Sequence, residues 1–201
     1  MQAYDVIYLL KEKAYDTLLS LAQGELMNKV LKQYGHITTA QRLQAAEKYL
    51  DAPGKNHYAW KRDGFLYLTD GHSAYMLLDG DLQVDITGGP TQEVARHFND
   101  EPGKIARVVW MTLHLEIEMH KGTDHRREPL YARVGEVHLN ADYLAQAYSI
   151  LGGGNLCIYT YGKKLPVQIE GESGKAILLP VIIGETATPC IVDVTAPEQA
   201  A

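Results

Sequence analysis

Phe65-Leu-Tyr-Leu-Thr-Asp-Gly-His-Ser-Ala-Tyr-Met-Leu-Leu78 is a pair of apolar runs hinged on Thr69-Asp70-Gly71-His72. Large side chains alternate on either side of Asp-Gly, where glycine permits positive φ and aspartate bonds its own backbone, so the stretch predicts two strands meeting at a turn. Working outward, Gly35-His-Ile-Thr-Thr39 reads as a brief extended entry to a helix that runs to Leu50. Thr38 or Thr39 is the expected cap, and with Thr38 as cap Gln41 falls at the capping-box position. Leu43, Ala46 and Leu50 share one face, and Asp51-Ala-Pro-Gly54 ends the element. Tyr58-Ala-Trp60 reads as a strand and Lys61-Arg-Asp-Gly64 as a turn. The unit is therefore strand, helix and three strands.

The same order returns about a hundred residues later. Val137-His-Leu139 is an entry strand, Asn140 a helix cap, and Leu144, Ala147 and Leu151 a buried face that Gly152-Gly-Gly-Asn155 terminates. Strands follow over 156–161, 165–170 and 176–183, with turns at Gly162-Lys163 and over 170–174. At an offset of 101, Ala40, Leu43, Ala46 and Leu50 fall on Ala141, Leu144, Ala147 and Leu151; at 100, Asp70-Gly71 falls on Glu170-Gly171. A two-fold internal repeat predicts two copies of one supersecondary unit, each covering the apolar face of the other.

The remaining segments read differently. Residues 3–23 and 25–33 carry helical spacing and look like an N-terminal extension over 1–35. The main body spans 36–184, made of repeat one (36–78), an intervening segment (79–133) and repeat two (134–184), with a tail over 185–201. Within the intervening segment, Gly88-Gly-Pro-Thr-Gln-Glu93 predicts a helix entry for Val94–Phe98. Leu113, Leu115, Ile117 and Met119 alternate with His114, Glu116, Glu118 and His120, the pattern of a half-exposed strand. Lys121–Pro129 is polar and loop-like, and the tail holds a strand remnant.

Composition bounds the rest. With 201 residues, 46% hydrophobic and 22% charged, the chain has material for one good core. No apolar run approaches the ~20 residues of a membrane span, and Met1-Gln-Ala-Tyr-Asp5 lacks a basic leader region, so a cytoplasmic location is expected. Cys157 and Cys190 are read as free thiols. Thirteen tyrosines against two phenylalanines predict half-buried faces where the ring packs and the hydroxyl stays wet. A net charge of −6 argues against coating nucleic acid with the whole surface.

Taken together, the repeated unit, the Thr-Asp-Gly-His phrase and a closing Leu-Leu-Pro-Val phrase resemble the bacterial DNA polymerase III β subunit, the sliding clamp, over about residues 36–78 and 134–184. The family's Thr-Asp-Gly-His-Arg-Leu becomes Thr69-Asp70-Gly71-His72-Ser73-Ala74, and its hydrophobic-Met-Pro-Met phrase becomes Ile177-Leu178-Leu179-Pro180-Val181. The resemblance implies an α+β, DNA-clamp-like domain and a non-catalytic role with no cofactor. It also implies a homo-oligomer, with double-stranded DNA and replication or repair proteins as partners. Carried over by position, Thr69, Gly71, His72, Leu179 and Pro180 are the candidate peptide-binding residues. Helix 39–50 offers Arg42 and Lys48 as candidate DNA-binding residues against Glu47; helix 140–151 offers only Asp142. The alternative with the same fold is an assembly or regulatory protein that does not bind DNA.

One reading from a different class is a metal-dependent enzyme. His114, Glu116, His120 and His125 place imidazole and carboxylate at alternate strand positions, where they could converge on an ion. The bland reading, a solvated strand face, is preferred because no His-Glu-x-x-His motif accompanies them. Gly152-Gly-Gly154 follows a helix and precedes a strand, opposite to a phosphate-cradling loop, and Lys163-Lys164 reads as a solvated hairpin tip.

Overall fold

The computed structural model describes residues 37–53, 57–80, 82–88, 94–98, 103–122, 128–154, 156–184 and 189–195. The helices expected over 3–33 lie outside them. Among the described residues the chain is α+β, with three α-helices, a seven-stranded sheet and a three-stranded sheet. No helix among them is long and apolar enough to cross a membrane.

Helix α1 (Thr39–Leu50) begins as its sequence dictates. The Thr38 hydroxyl accepts from the Gln41 N–H, and the Gln41 carboxamide accepts from the Thr38 N–H at 2.9 Å, closing a capping box. Three antiparallel strands follow: β1 (Tyr58–Arg62), β2 (Phe65–Thr69) and β3 (Ser73–Leu78). Asp63 and Gly64 both take positive φ between β1 and β2, the backbone that an Asp-Gly two-residue hairpin requires. A 3-10 turn (Val94–His97) and a short strand β4 (Lys104–Ala106) precede helix α2 (Trp110–Lys121). Strands β5 (Leu130–Val134) and β6 (Val137–Asn140) then lead into helix α3 (Ala141–Ile150), where the Asn140 side chain accepts from the Asp142 and Tyr143 N–H groups. Gly152, at φ 98°, ends this helix. The Gly153 N–H reaches the Tyr148 carbonyl at 2.8 Å and the Gly152 N–H the Ser149 carbonyl at 3.4 Å, the bond pair of a Schellman motif. A second antiparallel meander, β7 (Cys157–Thr160), β8 (Val167–Gly171) and β9 (Gly174–Leu178), and a tail strand β10 (Cys190–Asp193) complete the chain.

The large sheet has the order β1-β2-β3-β9-β8-β7-β4, so the two meanders meet through their third strands, antiparallel, with Tyr75 opposite Ala176. The β2–β3 pairing is centred between Gly71 and His72 and the β8–β9 pairing between Glu172 and Ser173. That spacing is 101, as for the helices. Glu170-Gly171 lies inside β8, so its alignment with Asp70-Gly71 is one residue out. The small sheet has the order β10-β5-β6, with β10 parallel to β5.

One face of the large sheet supplies the core. Leu66, Leu68, Tyr75, Leu77, Ile158, Val167, Ile169, Ala176 and Leu178 are buried there together with Ala46, Tyr49, Leu144, Ala147 and Tyr148 from α1 and α3. Burial of this size is the main source of stability, at roughly 25 cal/mol per Å² of apolar surface. Tyr49, Tyr75 and Tyr148 are among the largest fully buried side chains, so these three do not keep the wet hydroxyl expected of the tyrosines. On the other face Trp60 stacks on Tyr67 at 5.3 Å, with Phe98 edge-on to Tyr67.

Three expectations are corrected. Residues 113–120, read as a half-exposed strand, belong to α2. Its first two turns are buried on all sides, from Trp110 through Leu115, so no polar face imposes a 3.6-residue stripe, and apolar alternation is what remains visible. Val109 provides no side-chain cap, which removes the other helix signal. Second, β9 stops at Leu178, and 179–184 leaves the sheet; Pro180 has no N–H to give a ladder. Third, the entry to repeat one shows no strand at residues 37 and 38, whereas the entry to repeat two is strand β6.

Candidate functional site

The Thr69–Ser73 turn is organised by a buried carboxylate. Asp70 Oδ1 accepts from the His72 N–H at 2.9 Å, the Ser73 N–H at 2.8 Å and the Ser73 hydroxyl at 3.0 Å. Its Oδ2 accepts from the Tyr143 hydroxyl of α3 at 2.5 Å. The Thr69 hydroxyl donates to the Ser73 carbonyl and accepts from the Gly71 N–H. Gly71 takes φ 84°, a conformation costly for a residue with a Cβ. Beneath the turn, the Tyr49 hydroxyl lies 3.0 Å from Ser73 Oγ, and the Tyr49 ring is edge-on to Tyr75. Burial holds the phenols of Tyr49 and Tyr75 well above the ordinary tyrosine range, and the nearby Asp70 charge acts in the same direction.

This turn presents little reactive chemistry. Asp70 and Ser73 are buried and fully engaged with one another, so neither is poised as base or nucleophile. What the turn presents outward is His72, exposed, its ring parallel to that of Tyr143 at 6.4 Å.

The second candidate phrase lies against the first. The Leu179 N–H donates to the His72 carbonyl at 3.0 Å, and the Val181 N–H to the His138 carbonyl of β6 at 2.8 Å. Residues 179–181 thus lace the β2–β3 turn to the small sheet, and Pro180 sits at the intervening position, where no N–H is required. Leu179 is 46% exposed beside His72. Thr69, Gly71, His72, Leu179 and Pro180, a hundred residues apart in sequence, therefore share one locus. Tyr143 belongs to it as well, and its only sequence signal was its place one turn into a capped helix.

Arg42 and Lys48 are not part of this locus. Arg42 is 6% exposed, and its Nε donates to the Ile150 carbonyl at 2.9 Å, at the far end of α3 from Tyr143, where a cation offsets the helix dipole. Lys48 is exposed in the last turn of α1.

The strand face proposed for a metal does not exist as a face. On α2, His114 and Glu116 are two residues apart and point in different directions. His114 is buried edge-on against Tyr148, its Nε2 has no partner among the described residues, and burial pushes the imidazole down to about 4. Glu116 is raised by burial, and His120 Nε2 donates to the Glu128 carbonyl at 2.8 Å. His125 lies outside the described residues. Among the described residues no three His, Cys, Asp or Glu side chains are grouped to hold an ion. Cys157 and Cys190 are free thiols.

No family model, curated protein or solved structure matches this chain.

Proposed function

We propose that the chain is a non-catalytic docking protein built on a sliding-clamp-like domain, and that the β2–β3 turn together with residues 179–181 seats a short extended peptide of a replication or repair protein. The observation that carries this reading is the Leu179-to-His72 hydrogen bond, which brings side by side the two phrases through which the chain resembles the clamp family. Two helix-plus-meander halves joined through β3 and β9, with α1 and α3 packed on one face of the sheet, support the clamp-like repeat. The seat has an exposed apolar side chain in Leu179 and an aromatic wall in His72 and Tyr143. Ser73 and Ala74, where the family has arginine and leucine, are buried, so the seat suits an apolar segment rather than an acidic one. Protein docking is better supported than DNA contact through α1, because Arg42 is spent on the Ile150 carbonyl.

Fluorescence anisotropy with a labelled clamp-type peptide rich in leucine and phenylalanine tests this reading. His72→Ala is expected to weaken binding about five- to tenfold while leaving the thermal midpoint in place, since His72 is exposed and the turn is held by Asp70. Affinity unchanged by the substitution, or no binding by the native chain, refutes the docking seat.

A further inference from the structure

Helix α2 is docked with two buried polar atoms unanswered. Thr112 and His114 are 7% and 3% exposed, and neither Thr112 Oγ1 nor His114 Nε2 has a hydrogen-bond partner among the described residues. Such groups weaken docking, because each has given up water without gaining a bond in return. The His114 imidazole stands edge-on to Tyr148 of α3 at 5.2 Å, and Trp110, one turn earlier, lies 4.7 Å from the same ring. His114 therefore sits in the α2–α3 contact itself. α3 meets it with the Tyr148 phenol ring, and β5 turns the apolar Leu130, Ala132 and Val134 to the same core. The charges acting on it come from its own helix: Glu118 favours its protonation, Lys121 opposes it, and these two pair with each other at 2.8 Å. In an imidazolium both ring nitrogens donate, and at Nε2 the contact offers no acceptor among the described residues. A charge there is disfavoured for as long as α2 stays docked.

The attachment of α2 is also of a kind that opens locally. The helix belongs to the segment between the two helix-plus-meander halves, and Val109 gives it no side-chain cap. Its ends are tied by the Val109 N–H to the Val194 carbonyl and by His120 Nε2 to the Glu128 carbonyl, while Met111, Leu113 and Leu115 between them hold by packing. The meanders, by contrast, are laced strand to strand through β2, β3, β9 and β8. An element held by side-chain packing opens before one held in a ladder. We infer that α2 is an acid-released helix: protonation of His114 frees Trp110–Lys121 from α3 and β5 while the seven-stranded sheet stays folded. Burial sets the direction. The docked imidazole is pushed down to about 4, below the ordinary histidine value near 6.5, so docking is at full strength above that ordinary value and weakens as pH falls toward 4. Glu116, raised by burial, acts the other way, since its protonation favours the docked helix. The inference uses none of the residues of the peptide seat and stands apart from it.

Hydrogen exchange of the full chain tests this, followed by mass spectrometry at pH 7 and pH 5 and corrected for the intrinsic pH dependence of exchange. The opening equilibrium of the α2 amides is expected to rise about twentyfold from pH 7 to pH 5, with β2, β3 and β9 equally protected at both. His114→Phe puts an apolar ring in the same contact, and His114→Gln puts there a side chain that does not titrate. Both are expected to abolish the rise, and because each keeps Glu116 the contrast with the native chain isolates the imidazole. An α2 opening that is the same at pH 5 as at pH 7 in the native chain, or that rises equally in the two variants, overturns the inference. A rise shared by β2, β3 and β9 does so too, because acid then loosens the whole fold rather than freeing one helix.

Discussion

The β2–β3 and β8–β9 hairpins join corresponding strands of the two meanders and solve the same geometric problem by different means. In the first, four residues separate the last ladder pair, Thr69 and Ala74, and the turn is held from within by the Asp70 carboxylate. The second closes through Glu172 and Ser173 alone, between Gly171 and Gly174, and is held from outside by how closely its backbone packs. A Cβ on Gly174 would stand 2.2 Å from the Met76 carbonyl oxygen, and the residue sits at φ 141°. One turn is specified by hydrogen bonds, the other by steric exclusion. The hydrogen-bonded turn presents an outward side chain, His72, without losing its shape, which is what the proposed docking seat requires.

The largest expected effect comes from breaking the sterically held turn. Gly174→Ala forces β9 away from β3, the joint between the two meanders, and is expected to cost about 4 kcal/mol from strain and overpacking. Urea unfolding measures it; a loss below about 1 kcal/mol would show that the two strands have room to separate. Removing the carboxylate from the other turn comes next. Asp70→Ala strips partners from two backbone N–H groups and from the Tyr143 and Ser73 hydroxyls, an expected loss of about 3 kcal/mol. Peptide affinity should fall with it, since His72 loses its anchor. A stability loss with unchanged peptide affinity would separate the turn from the seat.

The smallest expected effect is a difference in alkaline behaviour. Tyr49 and Tyr75 pack under the first turn with phenols raised above the ordinary value near 10. A raised folded-state value means that their stabilising contribution is full below the unfolded value and is lost as pH rises above it. Unfolding midpoints should therefore decline above about pH 10, with the tyrosinate absorbance of these two rings appearing only on unfolding. Replacing both with phenylalanine should flatten that decline, although the loss of the Tyr49 bond to Ser73 lowers stability at neutral pH. If the phenols titrate in the folded chain, the core beneath the first turn is wetter than its packing implies.

How much was legible in sequence follows the same division between local and non-local causes. The Thr38–Gln41 box, the Asn140 cap, the Gly152 terminus, the Asp63-Gly64 hairpin and the turn at Asp70 are all short-range arrangements, and their residues announce them. α2 was misread because total burial erased the stripe that would have marked it. The closeness of Leu179 to His72 was expected only through a family resemblance; no spacing within the chain encodes it. Tyr143 went unremarked because the aromatic character of a helix residue acquires meaning only with its neighbours, here Asp70 and His72.

What the sequence determined by itself is the set of local elements and their turns, because propensity, capping and the restricted φ of Asp-Gly act within a few residues. What only the tertiary structure decided is which side chains are available. Arg42 and Lys163 are both cations to a reader of sequence. One is buried against a helix carbonyl and the other stands exposed at a turn, since burial is set by residues far along the chain.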